Sequence, residues 1–374
     1  MLSLKEAENV YYLDAMTENS FASGYVDAKT GDRPRQLLPD LDGKCLVIKD
    51  LTTIFSMRED KVKKILGDLQ SIYDGEYVKA TGTVGVTKYK STFAMVACVT
   101  PQALRKHHNY MSMIGGRFLV IRLLPLTDDE REAGFDRVWD EEARRDNLPK
   151  LRVLLVEHVK SLLSEAVVVD TETPEQRDRL NKLALLLARG RGVILTEKIQ
   201  ELNEVTGEDR YSYEIADVQI EEPYRALEQL RTLGRALARI HGRNKITDHE
   251  LELLRRIVLS SVSPIRGETL ARFRRCPSGL TFKALASDLG RSETGAYRLL
   301  QELVALKLLV EDRAPTGWTY KPRPELADLI SKEVEVLDHG QDLGEGQAHS
   351  QNSPHTNGFK IEGASTPVGS FVCV

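Results

Sequence analysis

The chain has 374 residues, 41% hydrophobic and 29% charged, enough apolar matter for about two or three packed domains. A net charge of −4 excludes a uniformly basic nucleic-acid coat and leaves room for a local basic patch. Cys45, Cys98, Cys276 and Cys373 match no metal spacing and favour buried thiols in a reducing cytoplasm, and no apolar run approaches the roughly 20 residues of a membrane span.

The first residues, Met-Leu-Ser-Leu-Lys-Glu, do not form a secretory signal, so a cytoplasmic protein is expected. Residues 1–130 alternate strand and helix patterns, the rhythm of an α/β layer. Residues 9–13 read as a strand, and 17–39 as loop with at most one short helix. An apolar run over 44–50 ends in Asp50, and a second over 92–100 ends in Thr100. Ile-Gly-Gly-Arg-Phe at 114–118 places Arg117 just before a third run, 119–124. Such runs read as strands buried on both faces of a parallel sheet. Ligands meet the carboxyl ends of such strands, where Asp50 and Thr100 would sit. Ser56 and Glu59 make a capping box for a helix with Val62, Ile65, Leu66, Leu69 and Ile72 on one face. Residues 76–90 look like a hairpin carrying Lys79, Lys88, Tyr89 and Lys90.

A mostly helical segment follows, read as a lid domain over 131–263. Thr127 with Glu130, Thr173 with Gln176 and Thr247 with Glu250 are further capping boxes. Leu227, Leu230, Leu233, Leu237 and Ile240 form one core-facing stripe; Leu251, Leu254 and Val258 form another. Residues 190–223 are ambiguous, with room for a short hairpin around 211–220. His107 and His108 read as loop residues, since nothing nearby completes a metal set.

Residues 264–330 show helix, short helix, helix and hairpin, the pattern of a winged helix-turn-helix. Eleven basic residues against six acids from Arg266 to Pro324 leave this segment at +5 in a net-negative chain. The second helix of the pair would present Arg291, Ser292, Thr294, Tyr297 and Arg298 to a major groove, with Leu299, Leu300, Leu303 and Leu306 inward. Arg313, Lys321 and Arg323 would meet phosphates. A winged helix that makes protein contacts instead is the open alternative. Residues 331–374 lose periodicity and turn polar, which predicts a disordered tail.

This order of parts resembles the AAA+ ATPases, above all helicase-like members of the minichromosome-maintenance type and ATP-binding proteins of phages and mobile elements. The phrases that carry it are Lys-Asp-Leu-Thr-Thr-Ile at 49–54, Leu-Gln-Ser-Ile-Tyr-Asp-Gly at 69–75, Arg117-Phe118 and the helix from Pro223 to Leu230. The resemblance implies an α/β fold: a partial AAA+ parallel-sheet core, a helical lid and a C-terminal winged helix-turn-helix. It further implies ATP and Mg²⁺ as cofactors, with Asp50 on the metal side and Thr100 sensing the γ-phosphate or attacking water. Arg117 would be a finger reaching into a neighbouring subunit of a ring-type homo-oligomer, and Arg225 would approach the γ-phosphate from the lid. Lys79, Lys88 and Lys90 would grip a DNA backbone, with Tyr89 as a stacking face. Two departures stand out. Lys49 replaces a second acid, and no G-x-x-x-x-G-K-[ST] occurs, so the β- and γ-phosphates have no cradle.

Only about eight residues precede the strand at 9–13, so either the gene start is misplaced or nucleotide binding is lost. Poor or absent ATP hydrolysis is expected. Plainer readings stand beside these roles: Asp50 capping the turn 51–53, Thr100 ending a strand, Arg117 and Arg225 solvated, and the lysines on an ordinary exposed hairpin. Two functions follow. One is a DNA-associated, replication or helicase-like ATPase of a mobile element; the other is a non-enzymatic winged-helix DNA-binding regulator whose α/β part is an assembly platform.

Overall fold

The computed structural model describes residues 7–23, 36–82, 85–100, 102–103, 116–123, 127–164, 168–202, 209–276, 278–314, 317–331 and 370–373. His107 and His108 lie outside them. The strands are β1 (Val10–Leu13), β2 (Cys45–Ile48), β3 (Glu76–Thr81), β4 (Gly85–Lys90), β5 (Ala94–Val99), β6 (Leu119–Arg122), β7 (Val193–Leu202), β8 (Asp209–Gln219), β9 (Leu309–Ala314), β10 (Gly317–Pro322) and β11 (Ser370–Cys373). The helices are α1 (Leu37–Leu41), α2 (Thr52–Phe55), α3 (Glu59–Ile72), α4 (Asp128–Trp139), α5 (Glu141–Ser164) and α6 (Pro174–Arg191). They continue with α7 (Tyr224–Ile240), α8 (Asp248–Ser261), α9 (Pro264–Arg272), α10 (Phe282–Leu289), α11 (Glu293–Ala305) and α12 (Ala327–Ser331).

The apolar runs become strands of one sheet, ordered β1-β2-β5-β11-β6. β1, β2 and β5 run parallel, with Leu13 opposite Ile48 and Ile48 opposite Ala97. Against the expectation of a structureless tail, β11 pairs antiparallel with both β5 and β6. Its Ser-Phe-Val-Cys sequence is a short β-forming run, too brief to stand out in a polar tail. The sheet is therefore mixed rather than wholly parallel.

Leu46, Ile48, Met95, Ala97 and Val99 bury one side of the sheet against Val62, Ile65, Leu66, Leu69 and Ile72 of α3, the face that the helical spacing predicts. Ser56 does not start that helix. It closes α2 instead, donating its hydroxyl to the Thr53 carbonyl at 2.9 Å, while Arg58 holds the cap position of α3. The three threonine boxes form as expected.

The lid and the winged helix, expected as separate domains, share one apolar core. Leu180, Leu183 and Leu187 of α6 and Leu251, Leu254 and Val258 of α8 meet Leu270, Phe273, Leu300, Leu303 and Tyr320. Arg266 crosses the boundary, donating to the Gly192 carbonyl at 2.7 Å. Ile240, placed on the lid stripe, is exposed in the last turn of α7. The α/β sheet joins this core through β6: the Val120 amide donates to Ser261 Oγ at 2.8 Å.

Two buried carboxylates brace the helices. Glu172 accepts from Arg231 Nε at 2.9 Å and Arg235 Nε at 2.7 Å. Glu250 accepts from Arg243 at 2.6 Å and from the Thr247 amide at 2.7 Å, and pairs with His241 Nδ1 at 2.7 Å. Burial pushes both acids up, but these hydrogen bonds outweigh it and hold each near about 2, below the ordinary 4.5. A depressed carboxyl stabilises the fold above its unfolded value and loses that contribution as pH falls toward its folded value. Thermal melts followed by circular dichroism are therefore expected to weaken between pH 4.5 and about 2. Glu172→Gln should flatten that dependence; an unchanged profile would count against the assignment.

Candidate nucleic-acid interface

The Thr281 hydroxyl accepts from the Ala284 amide at 3.2 Å and starts α10. The helix ends at Gly290, whose left-handed backbone (φ 60°) suits a residue without Cβ. The chain re-enters a helix at once, because Ser292 caps α11 by accepting from the Gly295 amide at 3.2 Å. This tight turn sets the two helices across each other. Leu285, Ala286, Ala296, Leu299, Leu300 and Leu303 are buried between and beneath them. Arg291 and the cap Ser292 at the entry to α11, and Thr294, Tyr297 and Arg298 on its outer face, are all exposed, as the sequence predicts. β9 and β10 pair antiparallel behind it as the wing.

Residues 269–313 match the IclR helix-turn-helix domain. No curated protein matches the chain. The match covers the helix pair and the first wing strand, and lends no support to the AAA+ resemblance.

Around this IclR-type helix-turn-helix, the expected cations differ in availability. Arg313 lies 5.8 Å from the centre of the Trp318 ring at the wing. Lys321 pairs with Asp312 at 2.6 Å, and Arg323 lies 3.6 Å from Glu325. Arg266 is half-buried, tied to the Gly190 and Gly192 carbonyls and 3.6 Å from Glu302, so not all of the segment's positive charge faces outward. Arg298 sits 4.8 Å over the ring of Tyr213 on β8, a contact that sequence reasoning missed. The β7–β8 hairpin is also longer than the expected one. Its pairing is interrupted by a bulge between Leu195 and Thr196.

The other expected site residues divide between the two ends of the sheet. The β2–β5 register puts Asp50 and Thr100 side by side at carboxyl ends. Each already has a local task. Asp50 Oδ1 accepts from the Thr52 amide at 2.8 Å, and Thr100 Oγ1 from the Ala103 amide at 3.3 Å. Arg117 enters β6 at the opposite end, about 20 Å away at roughly 3.3 Å per strand residue. Rather than projecting as a finger, it is half-buried 5.6 Å over Tyr73 of its own chain. Burial, then the nearby Arg225, lowers its pKa. Arg225 lies 3.8 Å from Glu221 on that same side, away from Asp50. The ring-type assembly drawn from Arg117 thus loses its basis.

These side chains do not assemble a nucleotide cradle within one protomer. Among the described residues, the cluster with metal-binding potential is His241, His249 and Glu250, without Asp50. The Glu250 oxygens there are taken by Arg243 and Thr247. On the β3–β4 hairpin, Lys88 and Lys90 are exposed, but Lys79 donates to the Ala22 carbonyl at 2.5 Å. Tyr89 is no outward stacking face: it lies 6.1 Å from Tyr77, with its hydroxyl on Gln36.

No helix among the described residues is long and apolar enough to cross a membrane.

Proposed function

We propose that this protein is a DNA-binding regulator that reads duplex DNA with α11 and steadies it with the wing. The supporting observation is the coincidence of the helix-turn-helix match with exposed Arg291, Ser292, Thr294, Tyr297 and Arg298 at the entry and outer face of α11. Arginine and hydroxyl side chains there suit base edges in a major groove, while wing cations suit phosphates. The α/β part is the assembly platform of this reading. Selection from a randomised duplex library with the full chain is the direct test. A defined motif is expected, and Arg291→Ala should relax one base position by about 1–3 kcal/mol. Failure to enrich any sequence would sink the regulator reading.

The adjacency of Asp50 and Thr100 favours a second reading, an ATP and Mg²⁺ site completed from elsewhere in an assembly. The regulator reading expects no saturable MgATP binding by calorimetry. Binding abolished by Asp50→Ala would reverse the preference.

A further inference from the structure

Residues 193–219 contain seven acids (Glu197, Glu201, Glu204, Glu208, Asp209, Glu214, Asp217) against Lys198 and Arg210, a net charge of −5. Residues 193–202 and 209–219 of this stretch build the β7–β8 hairpin, whose base packs through Ile194 and Val218 on the core beneath the helix-turn-helix. Gly192 fixes that base, since a side chain there would collide with Leu306. Further out, Tyr213 is 49% exposed and meets Arg298 of α11. Glu197 faces Glu214 across the strands. This like-charge pair weakens a hairpin, so its acidity does not serve the hairpin's own stability, unlike that of Glu201, which lies opposite Arg210.

We infer that this hairpin is an acidic arm that sets the specificity of the DNA interface, with Tyr213 as the residue that positions Arg298. The inference rests on the DNA-binding reading. Sequence-independent binding is driven by phosphate neutralisation. Glu214 follows Tyr213 in β8 and lies opposite Glu197, so these two carboxylates stand beside the Tyr213–Arg298 contact and oppose a phosphate strand approaching α11. They weaken that binding. The Tyr213 ring meanwhile holds Arg298 until a base edge offers a bidentate hydrogen bond, stronger than an exposed cation–π contact. Non-cognate DNA offers no such exchange. The arm therefore lowers non-specific affinity more than specific affinity.

The test uses the full chain and a random-sequence duplex of about three helical turns, read by fluorescence anisotropy near 0.1 M salt. Glu197→Gln and Glu214→Gln together should tighten binding about 5-fold. Tyr213→Ala should tighten it about 3-fold, Tyr213→Phe should match the parent, and the Tyr213→Ala gain should vanish in an Arg298→Ala background. Circular dichroism melts check that each variant is folded. Unchanged or weaker binding by the neutralised arm overturns the inference and makes the arm, through Lys198 and Tyr213, a DNA-gripping element instead. If neither parent nor variants bind any duplex, the DNA-binding reading itself falls.

Discussion

Alanine at Arg291, Arg298 and Lys321 together is expected to weaken duplex binding at least ~100-fold near 0.1 M salt. Arg291 is exposed just before the cap of α11 and Arg298 on its outer face, while Lys321 stands on the wing that would flank the groove. Losing phosphate contacts should also lower the slope of log affinity against log salt by about 2 to 3. Lys321 is held by Asp312, so its share should be the smallest. The helix itself should survive, because its buried face of Leu299, Leu300 and Leu303 is untouched. Titrations showing parental affinity and slope would leave the winged helix without a DNA role.

Glu250→Ala is expected to cost about 3 kcal/mol of folding stability, measured by urea unfolding at neutral pH. Glu250 is fully buried where α7 turns into α8, and it gathers His241, Arg243 and both donors of Thr247. Its removal takes the N3 half of the capping box from α8 and removes the carboxylate that pairs with Arg243. Arg243 retains some exposure, so solvent offsets part of the loss and the lower end of the buried-pair range applies. A cost below about 1 kcal/mol would mean that packing, rather than this carboxylate, holds the turn.

Much of this was legible from residue order. The apolar runs ending in Asp50 and Thr100 did become neighbouring parallel strands, although β5 buries only its Met95, Ala97 and Val99 face rather than both. The turn at Gly290 and the cap at Ser292 likewise announced the helix pair. The same short phrases misled where function was concerned. Asp50 and Thr100 each satisfy an amide of the following turn, a use that looks identical in sequence to a switch residue. Arg117 reads as a projecting finger only while the Tyr73 ring beneath it is unknown. The contact of Arg298 with Tyr213 depends on where a long, polar hairpin lies in space, which no local pattern encodes. Ser56 shows the narrower limit: the capping box expected with Glu59 does not form, because its hydroxyl closes the preceding helix.

The continuous core beneath α6, α8 and the helix-turn-helix has a mechanical consequence. Leu180, Leu183 and Leu187 complete the packing around Phe273 and Leu300, so the reading head is not a portable module hung on a tether. It moves with the helices that carry it, as one lever. Two copies joined through α6 or α8 would hold their heads at one fixed separation, and would reject operators whose halves are spaced differently.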